Sequence, residues 1–224
     1  MDLRYIGHSA FELKLANNSI LIDPFVQVNP EYNWREANIT DIFVTHAHGD
    51  HLGQAIEIAK EKDATITAVF ELANYLREQG CKVRPVGFGS WINYEWGRVV
   101  FVPAFHSSSL PDGRYAGEPA GIIFDVENVR IYHAGDTALT SEMKTIKELY
   151  RPNIAMLPIG GNYTMDVEHA VVASEWIGAQ TIIPMHYGTF PEIQADVEKF
   201  GQLLELNNSR CVVMNPKDNN QNQE

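Results

Sequence analysis

Cysteine is almost missing from this 224-residue chain: Cys81 and Cys211 are the only two. Two thiols cannot build the multi-bridge framework of a small secreted domain, and they are expected as buried thiols in a reducing compartment rather than as a disulfide. Cations are scarce as well, 17 Lys and Arg against 29 Asp and Glu, for a formal charge of −12. That balance excludes nonspecific nucleic-acid binding and attachment to anionic membranes, both of which need basic surface. No window approaches 18 uncharged apolar residues, so no membrane-spanning helix is expected. Met1-Asp2-Leu3-Arg4 lacks the basic stretch and apolar run of a signal peptide. The expectation is an acidic cytoplasmic protein whose partner is a small-molecule substrate, with no nucleic acid and no membrane; a homo-oligomer is left open.

What is present is globular. Apolar residues make up 45% and charged residues 21%. A chain of this mass buries about 70% of its unfolded surface, enough for one full core. That core is assigned to residues 1–215, and the polar segment 216–224 is expected to be a disordered tail. Apolar runs predict strands at 3–6, 11–15, 19–22, 42–45, 64–69, 83–86, 91–94 and 98–102, and a loop over 27–38. Leu52, Ala55, Ile56 and Ala59 form a helical stripe in 52–62, and a second helix is expected over 71–79. After a Ser-, Pro- and Gly-rich loop at 105–116 the pattern restarts. Strands 121–126 and 129–132 read as a hairpin over Glu127-Asn128. Helices follow at 141–150, 165–177 with Thr164 as N-cap, and 191–206 with a Thr189…Glu192 capping box. Strands are expected at 154–159, 181–185 and 212–214. Two similar halves, each a sheet with helices on one face, imply an α/β (α+β) domain built as a four-layer αββα sandwich, with a break near residue 110.

The chemistry concentrates in Thr45-His46-Ala47-His48-Gly49-Asp50-His51, between a strand and a helix. In extended chain, residues i and i+2 face the same side, so His46 and His48 can close on one cation. Asp50 and His51 diverge at the helix start and can serve a second, with the Asp50 carboxylate favoured by the helix dipole. So many imidazoles and a carboxylate beside one strand end are costly to desolvate without a cation. His106, Asp136 and His186 each follow an apolar strand, where open sheets present functional groups.

The run resembles the His-x-His-x-Asp-His signature of the metallo-β-lactamase superfamily, and His106, Asp136 and His186 resemble its three downstream ligands in order. Gly7-His8-Ser9, Pro158-Ile159-Gly160-Gly161, Tyr163-Thr164-Met165-Asp166 and Met185-His186-Tyr187-Gly188-Thr189-Phe190-Pro191 are similar to small metal-dependent hydrolases related to the ascorbate-phosphate lactonases. The resemblance implies that one metal takes His46, His48 and His106, the other Asp50, His51 and His186, with Asp136 bridging. It also implies the αββα fold. Asp136 stands where secreted β-lactamases usually carry Cys, and His48 where flavodiiron proteins usually carry Glu.

Two divalent metals would lower the pKa of a bound water toward about 7 and so supply hydroxide near neutral pH. Asp50 and Asp136 are the expected catalytic carboxylates, orienting the water or taking its proton. Ligands without thiolate suit zinc first, and also manganese, iron or nickel. The expected function is hydrolysis of a small, anionic or neutral ester, lactone or phosphoester at a dinuclear centre. The alternatives are a di-iron oxidoreductase at the same ligands and a non-catalytic metal-binding protein. His8, Thr164 and Tyr187 are candidates for substrate contact or support of the ligands. His133 is read as a supporting residue, His169 as a surface residue, and Gly160-Gly161 as a place where backbone approaches substrate.

Overall fold

The computed structural model describes residues 1–217, so the expected tail lies, from residue 218 on, outside the described residues. The chain divides into two compact units. The first comprises Met1–Gly87, Ser107–Glu118 and the described residues from Met214; the second comprises Phe88–His106 and Pro119–Val213. The expected break near 110 therefore falls at 87, because the loop after it returns to the first unit. Ala47 donates its N–H to Ser108 Oγ at 3.3 Å, Gly117 packs on Val69 and Glu71, and the Arg114 guanidinium lies over Tyr75.

The first unit holds a six-stranded sheet in the order β1-β2-β3-β4-β5-β6. Its strands are β1 (Asp2–Gly7), β2 (Ala10–Lys14), β3 (Ser19–Ile22), β4 (Ile39–Phe43), β5 (Thr65–Val69) and β6 (Lys82–Val86). β1 to β3 form an antiparallel meander, and β3 to β6 run parallel. Parallel neighbours need crossovers. α2 (Ala55–Lys62) and α3 (Phe70–Glu78) supply two of them, burying Ala55, Ile58 and Ala59, and Leu72, Ala73 and Leu76. One helix was expected over 52–62, but two form, α1 (Gly49–Leu52) and α2. The chain breaks at Gly53, whose φ of +45° brings it against Pro24 and Phe25; a Cβ there would overlap both backbones. The loop 27–38 carries short 3₁₀ turns at Val26–Val28 and Trp34–Glu36.

The second unit repeats this construction with seven strands in the order β13-β12-β11-β10-β9-β8-β7. β7 (Ile92–Tyr94), β8 (Gly97–Pro103), β9 (Ala120–Val126) and β10 (Val129–His133) are antiparallel; β11 (Ile154–Pro158), β12 (Thr181–Met185) and β13 (Arg210–Cys211) continue parallel to β10. The β9–β10 hairpin turns over Glu127 and Asn128, both left-handed at φ +49° and +66°, as its two-residue loop requires. α4 (Glu142–Leu149), α5 (Val167–Ile177) and α6 (Val197–Leu206) bury Met143 and Ile146, Ala170 and Ala173, and Phe200 and Leu204.

The expected helix caps are displaced. α5 is capped by Asp166, which accepts from the His169 N–H at 2.9 Å, while Thr164 turns its hydroxyl to the Met165 carbonyl. The expected helix 191–206 splits into a 3₁₀ turn at Pro191–Ile193 and α6, because Gln194 is extended and Asp196 caps the second piece through Lys199 N–H. The Thr189…Glu192 box does not start the helix. β13 precedes the expected 212–214, although the Val212 N–H still pairs with Ile182. Among the described residues, no helix is long and apolar enough to cross a membrane.

Strand direction positions the chemistry within each unit. β1, β3 and β4 point the same way and end at His8, Asp23 and the His46–His51 segment. β8, β10, β11 and β12 likewise share a direction and lead into His106, Asp136, Gly160 and His186.

Two expectations follow. Asp196→Ala removes an N-cap acceptor and should lower stability by about 1 kcal/mol in chemical denaturation. Burial pushes the thiols of Cys81 and Cys211 above their ordinary range. Both free thiols should therefore react slowly with Ellman's reagent at pH 8 in the native protein and rapidly once it is unfolded.

Candidate metal centre

In the first unit the histidine-rich segment is organised by a residue the sequence reading did not single out. Asp23 follows β3, is fully buried, and has φ +45°. One carboxylate oxygen accepts the Thr45 N–H at 2.8 Å; the other accepts the Thr45 hydroxyl and His51 Nδ1–H, each at 2.7 Å. Because Thr45 Oγ1 spends its proton on Asp23, it accepts from His46 Nδ1 at 3.0 Å. These bonds place the ring protons of His46 and His51 on Nδ1 and make each Nε2 an acceptor. His46 Nε2 lies 3.0 Å from His48 Nδ1, confirming that the i, i+2 pair shares a side.

The two acid–base residues after the turn also cluster. The ligand atoms of His8, Asp50 and His51 lie within 4.8 Å of one another. His8 Nε2 is 3.0 Å from Asp50 Oδ2, and His51 Nε2 is 3.9 Å from the same oxygen.

In the second unit Asp136 is the hub. Its Oδ2 lies 3.0 Å from His186 Nε2 and 3.6 Å from His106 Nε2. Backbone fixes this trio. The Phe105 N–H donates to Thr137 Oγ1 and the Ala138 N–H to the Phe105 carbonyl, both at 3.0 Å, tying the His106 and Asp136 loops together. His133 Nδ1 accepts the Gly135 N–H, shaping the turn before Asp136. His186 sits at φ +53° directly over Gly160, where any Cβ would overlap the His186 carbonyl oxygen. The Gly160 position thus admits a close approach of the His186 backbone. His169 is exposed and pairs with Asp166, as a surface residue would. Tyr187 is half-buried, and burial pushes its phenol upward, so it stays a hydrogen-bond donor through neutral pH.

The donors fit a divalent cation. They are imidazole nitrogens and carboxylate oxygens without thiolate, the set that suits zinc, manganese, iron or nickel. Two nitrogens on one tetrahedral ion at about 2.0–2.1 Å stand about 3.3 Å apart, close to the observed His46–His48 spacing. A carboxylate on the far nitrogen of His51 is the outer support that metal-bound imidazoles usually carry. By contrast, the cavity of about 510 Å³ walled by Arg4, Glu12, Ser19 and Tyr32 opens at the other end of β3. Its buried Glu12 is held by the Ser19 hydroxyl at 2.6 Å, and it contains none of these donors.

Comparison with known proteins agrees. Residues 2–186 match the family model described as a β-lactamase superfamily domain. A UPF0173 metal-dependent hydrolase of Bacillus cereus is 43% identical over 212 residues, 92% of this chain and 93% of that protein. The structure of Igni18, a metallo hydrolase from the archaeon Ignicoccus hospitalis, superposes with a TM-score of 0.88 at 35% identity, covering 96% of this chain and 94% of that one. CmlA, a diiron β-hydroxylase from Streptomyces venezuelae, shares the fold with a TM-score of 0.76 at 12% identity, covering 95% of this chain and 52% of its own.

Asp23→Ala should weaken metal binding about 10- to 100-fold, because His51 loses its acceptor and Thr45, which accepts from His46, loses the bond that orients its hydroxyl. Chelator competition read by metal release checks this, with circular dichroism confirming the fold.

Proposed function

Because the chain belongs to the β-lactamase superfamily, has its metallo-β-lactamase fold and is a metal-dependent hydrolase, we propose that it cleaves a small ester, lactone or phosphoester at a centre of two divalent cations, zinc first among them. In this reading His46, His48 and His106 hold one cation and Asp50, His51 and His186 the other, with Asp136 between them. One observation carries the dinuclear reading. A single oxygen of Asp136 stands within 3.6 Å of His106 and 3.0 Å of His186, the residues assigned to different cations. A carboxylate so placed is suited to bridge.

When bound, the cations supply Lewis acidity toward the substrate oxygen and acidify water enough for attack near neutral pH. The chain's own groups do the rest. Asp50 and Asp136, acceptors when ionised, orient the attacking water and take its proton. Asp23 adds a third carboxylate to the two counted from the sequence, which moderates the pull of the centre on an anionic substrate. His8, Thr164 and Tyr187 are assigned to support of this centre or to substrate contact. The di-iron oxidoreductase alternative has the shared fold of the diiron hydroxylase in its favour, and at 12% identity that likeness is to the fold alone.

Elemental analysis and turnover test the proposal together. His48→Ala should lose metal and abolish hydrolysis; full metal content in that variant would refute the ligand assignment. On a panel of chromogenic esters, lactones and phosphodiesters, the zinc-loaded protein should turn over at least one class. No turnover, together with a visible absorption band that dithionite changes, would favour the iron reading.

A further inference from the structure

The turn between β1 and β2 is chemically odd. The register pairs Gly7 with Ala10, which leaves a two-residue loop, His8-Ser9. Its first residue has φ +58°, where tight hairpins favour Gly or Asn and where any other residue pays a backbone cost, His less than most. The neighbourhood holds the strain in place. Gly7 at φ +138° lies against Val28, and the Tyr5 hydroxyl donates to the His8 carbonyl at 3.1 Å. The imidazole is fully buried, edge-on to Phe25 and to His51.

The ring's Nε2 lies 3.0 Å from Asp50 Oδ2. An ionised carboxylate only accepts, so the imidazole donates and its proton sits on Nε2. Backbone strain at a buried polar residue persists where the surrounding structure enforces it, and such residues concentrate at functional sites.

We propose that His8 is a positioning residue: its Nε2–H holds the carboxylate of Asp50 in the orientation that binds metal, and the β1–β2 turn is kept strained for that purpose. The proposal rests on the reading of Asp50 as a metal ligand. It makes two opposed predictions for one substitution. Asn tolerates the left-handed turn, so His8→Asn should leave the melting temperature of the metal-free protein unchanged or raised. The shorter amide does not reach Asp50, so zinc affinity should fall about 10-fold or more, as when an outer support of a metal ligand is lost. His8→Gln, which carries an N–H donor at a reach similar to Nε2, should recover most of that affinity.

The experiment is zinc titration against a chromophoric chelator for wild type, His8→Asn, His8→Gln and His48→Ala, each with a thermal melt after chelator treatment. Weakened zinc binding in His8→Asn with an intact melt and recovery in His8→Gln establish the role. Wild-type affinity in His8→Asn, with His48→Ala losing zinc, overturns this inference and leaves the proposed function standing. A lowered melt in His8→Asn overturns the strained-turn argument. No loss in His48→Ala removes the ligand assignment itself.

Discussion

The carboxylate of Asp23 is the fixed point of the histidine-rich segment 46–51. Buried, and reached by one backbone N–H, one hydroxyl and one imidazole, it sets the ring of His51 directly and, through Thr45, that of His46. Removing a buried charge from such a network leaves its donors without their acceptor, a larger penalty than the net worth of any single bond. The backbone just past it also sets a helix boundary. Pro24 and Phe25 follow it and receive Gly53, which ends α1 and redirects the chain into α2.

Much of this arrangement was legible in the sequence because it depends on period and polarity. The i, i+2 spacing of His46 and His48, the placement of His106, Asp136 and His186 just past apolar strands, and the Glu127-Asn128 hairpin all follow from local rules that the structure obeys. Asp23 was hidden because a single acid after Ile22 has no partner at a recognisable spacing; Thr45 is 22 residues away and His51 28. The one available signal was its place between a buried strand and Pro24, the same strand-end rule used for the later ligands. The caps failed for a different reason. Thr164 and Asp166, or Thr189 and Asp196, are all competent N-caps, and tertiary pairing of the loops, not propensity, decides which one the helix uses.

His8, Asp23 and His186 share a left-handed backbone, which residues other than glycine adopt at a cost, Asp and His less reluctantly than most. Each stands at the end of a strand, and each presents a polar group used in one of the two clusters. Gly160 belongs with them, since its missing side chain is what admits the carbonyl of His186. Stability has been conceded at the strand ends while the buried faces of the strands remain largely apolar.

The segment Ser107–Glu118 belongs to the first unit although the chain enters and leaves it from the second, and the described chain from Met214 returns to the first unit again. The polypeptide thus crosses from one unit to the other four times. No single cut yields both units as contiguous fragments, so neither can be borrowed as an independent module. A lineage that began by doubling one sheet-and-helix half would since have interwoven the copies, committing both to be made, and inherited, together.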